Sequence, residues 1–285
     1  MSRPHRFALL DVFTDRPLTG NGLAVVHDAD GIDDEAMLGF AREMRLSETT
    51  FVQSADRDGA DYRNRIWDLR RELPFAGHPS LGTAVAVARA RGEREARYVQ
   101  QTPAGLQPVD VRLDGESAYA SMLQEAAEFG PLLEPREALA PVGLGVDAAV
   151  AELPPQVVST GVPQVLVPVR GPTALSAARP DWRAAAALLD RHGAIVLYLA
   201  ACDPAAGRAR ARAFTHSAEM GEDPATGSAA GPLCAYLHAR AGAERLEIDQ
   251  GLEMGRPSRL ECAMESGRVR VGGGVVVLGE GSVFL

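Results

Sequence analysis

The alternation of apolar and polar residues in the first part of the chain predicts two paired strands, a helix and two further strands. The strands are expected at 7–13, 23–26, 48–52 and 63–67. Asp33 is expected to cap the helix, because acidic residues follow it and apolar residues then recur on one helical face. Since that helix ends before Ser47, Glu48 stands at a helix-to-strand junction, where functional residues are common.

The remainder of the chain shows patterns of the same kind. A helix is expected from about Pro79 to Gly92, because proline suits a first turn and glycine suits an end. Further helices are predicted at 182–192 and 228–238, and further strands at 109–113, 118–123, 157–160, 165–169, 195–199, 268–271, 275–278 and 283–285. The proline-containing stretch 125–141 is interpreted as a linker.

A short motif occurs twice and organises these elements. Residues 72–77 and 222–227 share the pattern Glu-x-Pro-x-x-Gly, 150 positions apart, and each glycine opens onto a helix of small residues. Self-similarity over such a distance implies two α/β lobes of one design. We expect an N-terminal lobe at 1–126 and a C-terminal lobe at 127–278, with the last strand, 279–285, free to return to the first lobe.

The two glycine loops suggest where a ligand binds. A loop at a helix N-terminus exposes backbone N–H groups and the positive end of the helix dipole. Two such loops, facing each other across a cleft between the lobes, would suit a carboxylate. The alternative interpretation is that both glycines only allow a loop to approach a helix closely.

Four polar residues lie in or beside the expected cleft: Glu48, His78, Asp223 and Ser228. Each one alone has an ordinary explanation as a solvated carboxylate, a helix cap or a turn former. Together they supply a carboxylate and an imidazole that can move protons near neutral pH, a second carboxylate and hydrogen-bond donors. The sequence therefore predicts a proton-transfer site. Segment 226–229 lacks the second glycine of the Gly-x-Ser-x-Gly motif of serine hydrolases.

Composition narrows the class of protein. A net charge of −9 and a pI near 5.2 offer no basic surface, so nucleic acid and anionic membranes are not expected partners. The longest apolar run, 194–202, is far shorter than the roughly 20 residues that span a bilayer. With no signal peptide at the start of the sequence, the cytoplasm is the expected location.

The reactive residue types exclude several cofactors. All 29 basic residues are arginine, which rules out a pyridoxal Schiff base on lysine and a lysine-containing P-loop. The cysteines at 202, 234 and 262 lie far apart without a Cys-x-x-Cys pair, and the histidines lack metal-ligand spacing. The sequence therefore predicts reduced structural thiols, no metal and no cofactor.

At these residues the sequence resembles the phenazine-biosynthesis PhzF-like isomerases, which share the diaminopimelate epimerase fold. The resemblance spans nearly the whole chain, and the matching segments are 11–14, 20–21, 24–26, 41–44, 46–52, 72–79, 159–161, 222–229, 250–251, 255–258 and 271–273. It implies an α+β fold of two pseudo-symmetric lobes, each a barrel-like, mostly antiparallel sheet around a central helix. It also implies a homodimer.

The resemblance further implies the roles of individual residues. Glu48 would be the acid/base that removes a proton from one carbon and returns one elsewhere, supported by His78 and Asp223. The residues implied to bind substrate are Asn21, Ser47, Gly77, Gly227 and Ser228. The substrate would be a small unsaturated cyclic amino acid of a natural-product pathway, either dihydro-hydroxyanthranilate-like or alkylproline-precursor-like.

The sequence departs from the family pattern near two motif loops. Gly22 replaces the proline of the usual Gly-Asn-Pro. Asp68 and Leu69 replace the Thr-Pro that usually precedes the first repeat motif, and Ser80 is a conservative replacement of threonine. Both departures bear on substrate identity more than on the chemistry.

Two other functions compete with an isomerase. A cofactor-independent epimerase or racemase would need two opposed acid/base groups, commonly thiols, yet neither glycine loop carries cysteine. Cys234 falls about two turns inside the second helix, where a buried apolar role suits it better. A non-catalytic protein of the same fold could instead capture a small anion, although Glu48, His78 and Asp223 together argue for catalysis.

Overall fold

The structure is a computed structural model that describes residues 3–115 and 117–285. The chain forms two compact units. The first unit comprises the residues up to Met122 together with Gly272–Leu285, and the second comprises Leu123–Val271.

The first unit is a mixed sheet with two helices. Its elements are β1 (Pro4–Val12), β2 (Asn21–Val26), α1 (Asp34–Met44), β3 (Glu48–Gln53), β4 (Tyr62–Trp67), β5 (Glu72–Leu73), α2 (Gly77–Arg91), β6 (Glu95–Thr102), β7 (Gly105–Asp114), the start of β8 (Ser117–Ala126) and the end of the last strand, at 272–284. Strand β2 pairs parallel with β3 across α1, and β4 pairs parallel with β6 across α2. The β1–β2, β3–β4, β6–β7 and β7–β8 pairings are antiparallel.

Helix α2 lies inside this sheet. It contacts β1, β2, β3, β4, β6 and β7, and every residue from Gly77 to Ala88 is buried. A helix that is buried on all sides cannot be amphipathic, which explains its run of small and apolar residues. Helix α1 packs outside, where Met37 and Ala41 contact Phe51 and Trp67 in a separate apolar cluster.

The second unit has its own mixed sheet and helices. Its elements are β9 (Glu128–Leu132), α3 (Pro135–Leu139), β10 (Gln156–Ser159), β11 (Pro163–Pro168), α4 (Gly171–Ala177), α5 (Trp182–His192), β12 (Leu197–Asp203), β13 (Arg208–Phe214), β14 (Glu222–Asp223), α6 (Gly227–Ala241), β15 (Arg245–Gln250), β16 (Ser258–Glu265) and the start of β17 (Arg268–Phe284). Short 3-10 helices cover Ala140–Val142, Val146–Ala148 and Leu252–Met254.

The pairings in this unit follow the order seen in the first. Strand β11 pairs parallel with β12 across α4 and α5, and β13 pairs parallel with β15 across α6. The intervening β12–β13 pairing and the β15–β16 pairing are antiparallel. Helix α6 contacts β10, β11, β15 and β16, so each unit is an α+β sheet that curves around one buried helix.

The strongest sequence patterns gave accurate elements. Helix α5 has the predicted bounds, Asp33 accepts a hydrogen bond from the Ala36 N–H as the cap of α1, and Gly92 ends α2 in a left-handed conformation. The apolar strand predicted at 195–199 begins later, at Leu197, and runs further. The hydrophobic pattern did not predict β6, β13, β15, β16 and α4.

The strands predicted at 268–271, 275–278 and 283–285 lie almost entirely in a strand, but the breaks between them are wrong, because β17 is continuous from Arg268 to Phe284. Glycines 272–274 and 279 fall between the predicted strands. A Cβ on Gly272 would lie 2.7 Å from the Tyr119 hydroxyl, and one on Gly274 would lie 2.5 Å from the Thr14 carbonyl. These glycines permit close approach of neighbouring backbone within an extended strand.

The linker predicted at 125–141 is also wrong, since this stretch contains β9, α3 and a 3-10 helix. Its prolines occupy positions that need no N–H donor. Pro131 lies in β9, whose partner in this unit is β10, and Pro135 begins α3. Ala138 and Leu139 are fully buried in the apolar core of the unit.

No helix in the described part of the chain is both long enough and apolar enough to cross a bilayer.

A glycine-to-alanine pair tests the close packing of α2. A Cβ on Gly82 would lie 2.5 Å from Leu23 Cδ2, whereas one on the exposed Gly39 of α1 would meet nothing within 4 Å. Gly82→Ala is expected to destabilise the protein by about 1–3 kcal/mol through overpacking. Gly39→Ala should stabilise it by about 0.5–1 kcal/mol. Urea unfolding measures both, and a Gly82→Ala protein as stable as the wild type would contradict the packing described.

Candidate active site

The predicted acid/base and the predicted histidine form a buried pair in the first unit. Glu48 is the first residue of β3, and His78 is the second residue of α2. Glu48 Oε2 lies 3.3 Å from His78 Nε2, and the two side chains are only 14% and 6% exposed. The parallel β2–β3 pairing and the burial of α2 in the sheet fix both backbones, so the pair is held by regular structure.

The imidazole of His78 is neutral at physiological pH. Burial lowers the pKa of His78 to about 3, and a backbone hydrogen bond with Gly22 opposes this shift only in part. The contact with Glu48 is therefore not an ion pair with a charged histidine. Loss of solvation is the larger effect on the pKa because the ring is fully buried. The distance between Nε2 and the carboxylate does not by itself show whether the ring is protonated.

The second ring nitrogen of His78 indicates which tautomer faces Glu48. Nδ1 lies 3.2 Å from the Asn21 Nδ2 atom, at the start of β2. When Nδ1 accepts from this amide, Nε2 carries the proton and faces the Glu48 carboxylate, with 3.3 Å between Nε2 and Oε2.

The helix that carries His78 is anchored by a buried amide. Gln100 Nε2 donates to Ser80 Oγ at 2.7 Å, and Asn64 Nδ2 donates to Gln100 Oε1 at 2.9 Å. The Ser80 hydroxyl donates in turn to the Ala76 carbonyl at 2.7 Å. These contacts tie the first turn of α2 to strands β4 and β6, which keeps His78 in register with Glu48.

Each repeat motif begins with a glutamate that accepts two hydrogen bonds from a buried arginine. In the first unit, Arg65 Nε and Nη2 donate to the two carboxylate oxygens of Glu72 at 2.8 and 2.6 Å. In the second unit, Arg212 Nε and Nη2 donate to those of Glu222 at 2.8 and 2.7 Å. Such bidentate pairs fix the relative orientation of the two side chains as well as their distance. They therefore determine where each glycine loop leaves its sheet.

The loop of the second unit carries a second carboxylate. Thr226 Oγ1 donates to Asp223 Oδ2 at 2.6 Å. Gln250 Nε2 donates to Thr226 Oγ1 at 2.9 Å and to the Asp223 carbonyl at 2.7 Å. The Tyr198 hydroxyl donates to Gln250 Oε1 at 2.9 Å. Asp223 is therefore embedded in an ordered hydrogen-bond network.

The predicted binding residues fall into two groups. Asn21 contacts His78, Ser47 immediately precedes Glu48, and Gly77 is the first residue of α2. In the second unit, Gly227 begins α6 and accepts a hydrogen bond from Gln124 Nε2 at 2.9 Å. Ser228 follows it, with its carbonyl 3.3 Å from Gln164 Nε2. The structure thus brings Glu48, His78 and Asn21 together within one unit, and Asp223, Gly227 and Ser228 lie in the other.

Sequence reasoning assigned no role to Arg65, Arg212, Thr226 or Gln250. Two patterns could have found the two arginines and the glutamine. An Arg-x-aromatic triplet precedes each motif glutamate, at 65–67 and at 212–214, and glutamines 100 and 250 stand at the same 150-residue spacing as the motifs.

One departure from the family pattern has a local structural reason. Asp68 accepts the backbone N–H groups of Arg70 and Arg71 at 2.6 and 2.7 Å, so its carboxylate closes the tight turn between β4 and β5. Gly22 forms a backbone hydrogen bond with His78, but nothing in the structure explains why this residue is glycine.

The thiols are poorly suited to proton transfer. Cys234 lies fully buried in α6, as expected, and Cys262 is buried on β16. Burial raises the pKa of Cys202 to about 12. A hydrogen bond with Cys234, together with burial, raises the pKa of Cys262 well above its ordinary value. Among the described residues, no group of three or more His, Cys, Asp or Glu side chains is arranged to hold a metal ion.

Known proteins resemble the chain along its whole length. Residues 10–281 match the family model of phenazine biosynthesis-like proteins, PhzC-PhzF. The chain is 39% identical over 285 residues to the trans-2,3-dihydro-3-hydroxyanthranilate isomerase of Pseudomonas aeruginosa. The matched region covers 98% of this chain and 97% of that protein.

Solved structures show the same fold. A protein from Pseudomonas aeruginosa described as a predicted epimerase has a TM-score of 0.87 and 37% identity, with 99% of both chains covered. A hydroxyproline epimerase from Agrobacterium vitis shares the fold alone, with a TM-score of 0.64 and 14% identity over 100% of this chain and 94% of that one.

Replacing His78 with asparagine should make stability less dependent on pH. An unfolded histidine takes up a proton near pH 6.5, whereas folded His78 does so near pH 3, so acid favours the unfolded wild type between these values. From pH 7.5 to 5.0, the wild type is expected to lose about 2 kcal/mol more stability than His78→Asn. Urea unfolding at both pH values measures the difference, and equal losses would contradict a neutral imidazole.

Proposed function

This chain belongs to the phenazine biosynthesis-like protein family and is an isomerase, and we propose that it moves a proton and a double bond within a small unsaturated cyclic amino acid. The substrate class follows the name of the similar isomerase, which acts on a dihydro-hydroxyanthranilate. An alkylproline precursor is the second member of the same class. Glu48 is the proposed general acid/base.

The observation that carries this proposal is the buried contact of Glu48 with the neutral imidazole of His78. An ionised Glu48 would take a proton from a saturated carbon next to the double bond. The electron pair left on that carbon would shift into the conjugated system, and the far carbon would take the proton back from Glu48. No other reactant is consumed, so substrate and product have equal mass.

His78 supports this transfer as a neutral polar neighbour of Glu48, with Nε2 3.3 Å from the carboxylate. A neutral ring suits this role because a permanently charged imidazolium would hold Glu48 ionised and oppose its protonation. Asn21 contributes by contacting the far ring nitrogen.

The remaining predicted residues complete the proposal. We assign Asp223 a supporting role in proton movement, and Ser47, Gly77, Gly227 and Ser228 a role in binding the substrate. Helix α2 begins at Gly77 and α6 begins at Gly227. The backbone N–H groups of a first helical turn have no partner within the helix, so each of these helix N-termini suits a carboxylate group of the substrate.

The proposal includes an architecture of two pseudo-symmetric lobes. The equal order of strand pairings in the two units supports it, as do the paired arginine–glutamate contacts. A homodimer and a reaction without a cofactor are the further expectations that the family resemblance brings.

An epimerase is the second candidate, because one similar structure carries that description. An epimerase of the thiol type needs a reactive cysteine on each side of one carbon. Burial raises the pKa of Cys202, and a hydrogen bond with Cys234 together with burial raises that of Cys262, which favours the isomerase.

Glu48→Gln is expected to lower turnover by at least about 100-fold, because the amide keeps the size of the side chain but cannot take up a proton. Glu35→Gln, on the exposed face of the first turn of α1, serves as the matched control and should retain wild-type turnover. The assay follows trans-2,3-dihydro-3-hydroxyanthranilate by absorbance. Near-normal activity of Glu48→Gln would remove Glu48 from the mechanism.

Turnover in D2O distinguishes the two candidate reactions. The isomerase should place deuterium at a carbon other than the one that lost its proton, and the label should be incomplete if the buried pair returns part of the original proton. An epimerase would invert one centre and label that same carbon. NMR of the product locates the label, and deuterium solely at an inverted α-carbon would reject the isomerase.

A further inference from the structure

The two repeat motifs differ at all three of their variable positions, and in the second motif two of these residues are joined by a hydrogen bond. In the second unit, the motif carries Asp223 and Thr226. The equivalent positions of the first motif hold Leu73 and Ala76, which supply neither a carboxylate nor a hydroxyl. The hydroxyl is thus present only in the motif that has a carboxylate to receive its hydrogen bond.

The network around Thr226 has one direction only. The two N–H groups of Gln250 Nε2 donate to Thr226 Oγ1 and to the Asp223 carbonyl. Because Thr226 Oγ1 already accepts from this amide, its own proton points to Asp223 Oδ2, 2.6 Å away. The orientation of the amide is fixed from the opposite side, since Gln250 Oε1 accepts from the Tyr198 hydroxyl and from the Thr226 N–H.

The far end of the network is a permanent donor. Burial raises the pKa of Tyr198 well above its ordinary value, so its hydroxyl keeps its proton. Tyr198 and Gln250 are fully buried, and Thr226 is only 5% exposed. Water therefore cannot replace a lost partner at little cost, and each bond constrains the next.

We infer that Thr226 is a positioning residue that holds the Asp223 carboxylate in one orientation and as a hydrogen-bond acceptor, and that Gln250 and Tyr198 fix the direction of its hydroxyl. This inference rests on the proposed role of Asp223 in proton movement. Thr226 itself touches no reacting atom in this assignment. Its effect is transmitted through Asp223.

Thr226→Val tests the inference, because valine keeps the shape of threonine and removes only the hydroxyl. We expect kcat to fall by about 10- to 100-fold, the usual effect of losing a hydrogen bond to a charged group, with KM within about twofold of the wild type. Thr226→Ser, which restores the hydroxyl, should recover most of the lost kcat.

The matched control is Thr102→Val in the first unit. Thr102 is 2% exposed, and its hydroxyl donates to Gln107 Oε1 at 3.1 Å and accepts the Ala104 N–H. Its loss removes a buried hydroxyl of the same kind without touching the acid/base residues, so kcat should be unchanged. Equal losses in Thr102→Val and Thr226→Val would overturn the inference, as would a Thr226→Ser protein no better than Thr226→Val.

Crystal structures of the wild type and Thr226→Val separate this inference from the proposed function. A displaced Asp223 carboxylate in the variant supports the inference even if the wild type turns over no dihydro-hydroxyanthranilate, a result that would count against the proposed function alone. An unmoved carboxylate overturns the inference whatever the activity. Should Thr226→Val fail to fold, Tyr198→Phe tests the far end of the network, where a two- to fivefold loss of kcat is expected and wild-type kcat overturns it.

Discussion

The interaction on which the site depends is the buried pair of arginine and glutamate that anchors each glycine loop. Arg65 with Glu72, and Arg212 with Glu222, each form two parallel hydrogen bonds of 2.6–2.8 Å. Each guanidinium also lies over an aromatic ring two residues along its strand, 5.3 and 4.9 Å from the ring centroid. Removing one partner of such a pair would leave an uncompensated buried charge, at a cost of about 3–5 kcal/mol. The loops, and the helices that follow them, therefore start from fixed points.

From these fixed points, small residues let two helices enter their sheets. Helix α2 is buried on every side, and Gly82 lies where a methyl group would collide with Leu23. That close packing places the second residue of the helix, His78, against the first residue of β3, Glu48. The same immersion in the sheet desolvates the imidazole and keeps it neutral. Packing and proton chemistry are thus consequences of one arrangement, because the helix that fills the core also delivers the histidine.

The two carboxylates proposed for catalysis have different partners. Glu48 faces a neutral imidazole, whereas Asp223 accepts a hydrogen bond from the Thr226 hydroxyl, whose direction Gln250 fixes. In the proposed mechanism, these different surroundings would give the two carboxylates distinct roles, as the surroundings of paired carboxylates do in other enzymes.

The sequence by itself determined the features that depend on neighbours along the chain: the bounds of α5, the Asp33 cap, the repeated motif and the junction at Glu48. The family resemblance supplied the proposed chemistry. Only the tertiary structure decided that glycines 272–274 continue a strand, that prolines between 125 and 141 sit inside regular elements, and that Gln250 faces Thr226. The reason is physical. Local patterns report backbone preference and amphipathic spacing, whereas close approach, burial and hydrogen-bond direction are set by residues far away in sequence, which meet only when the sheet curves around its helix.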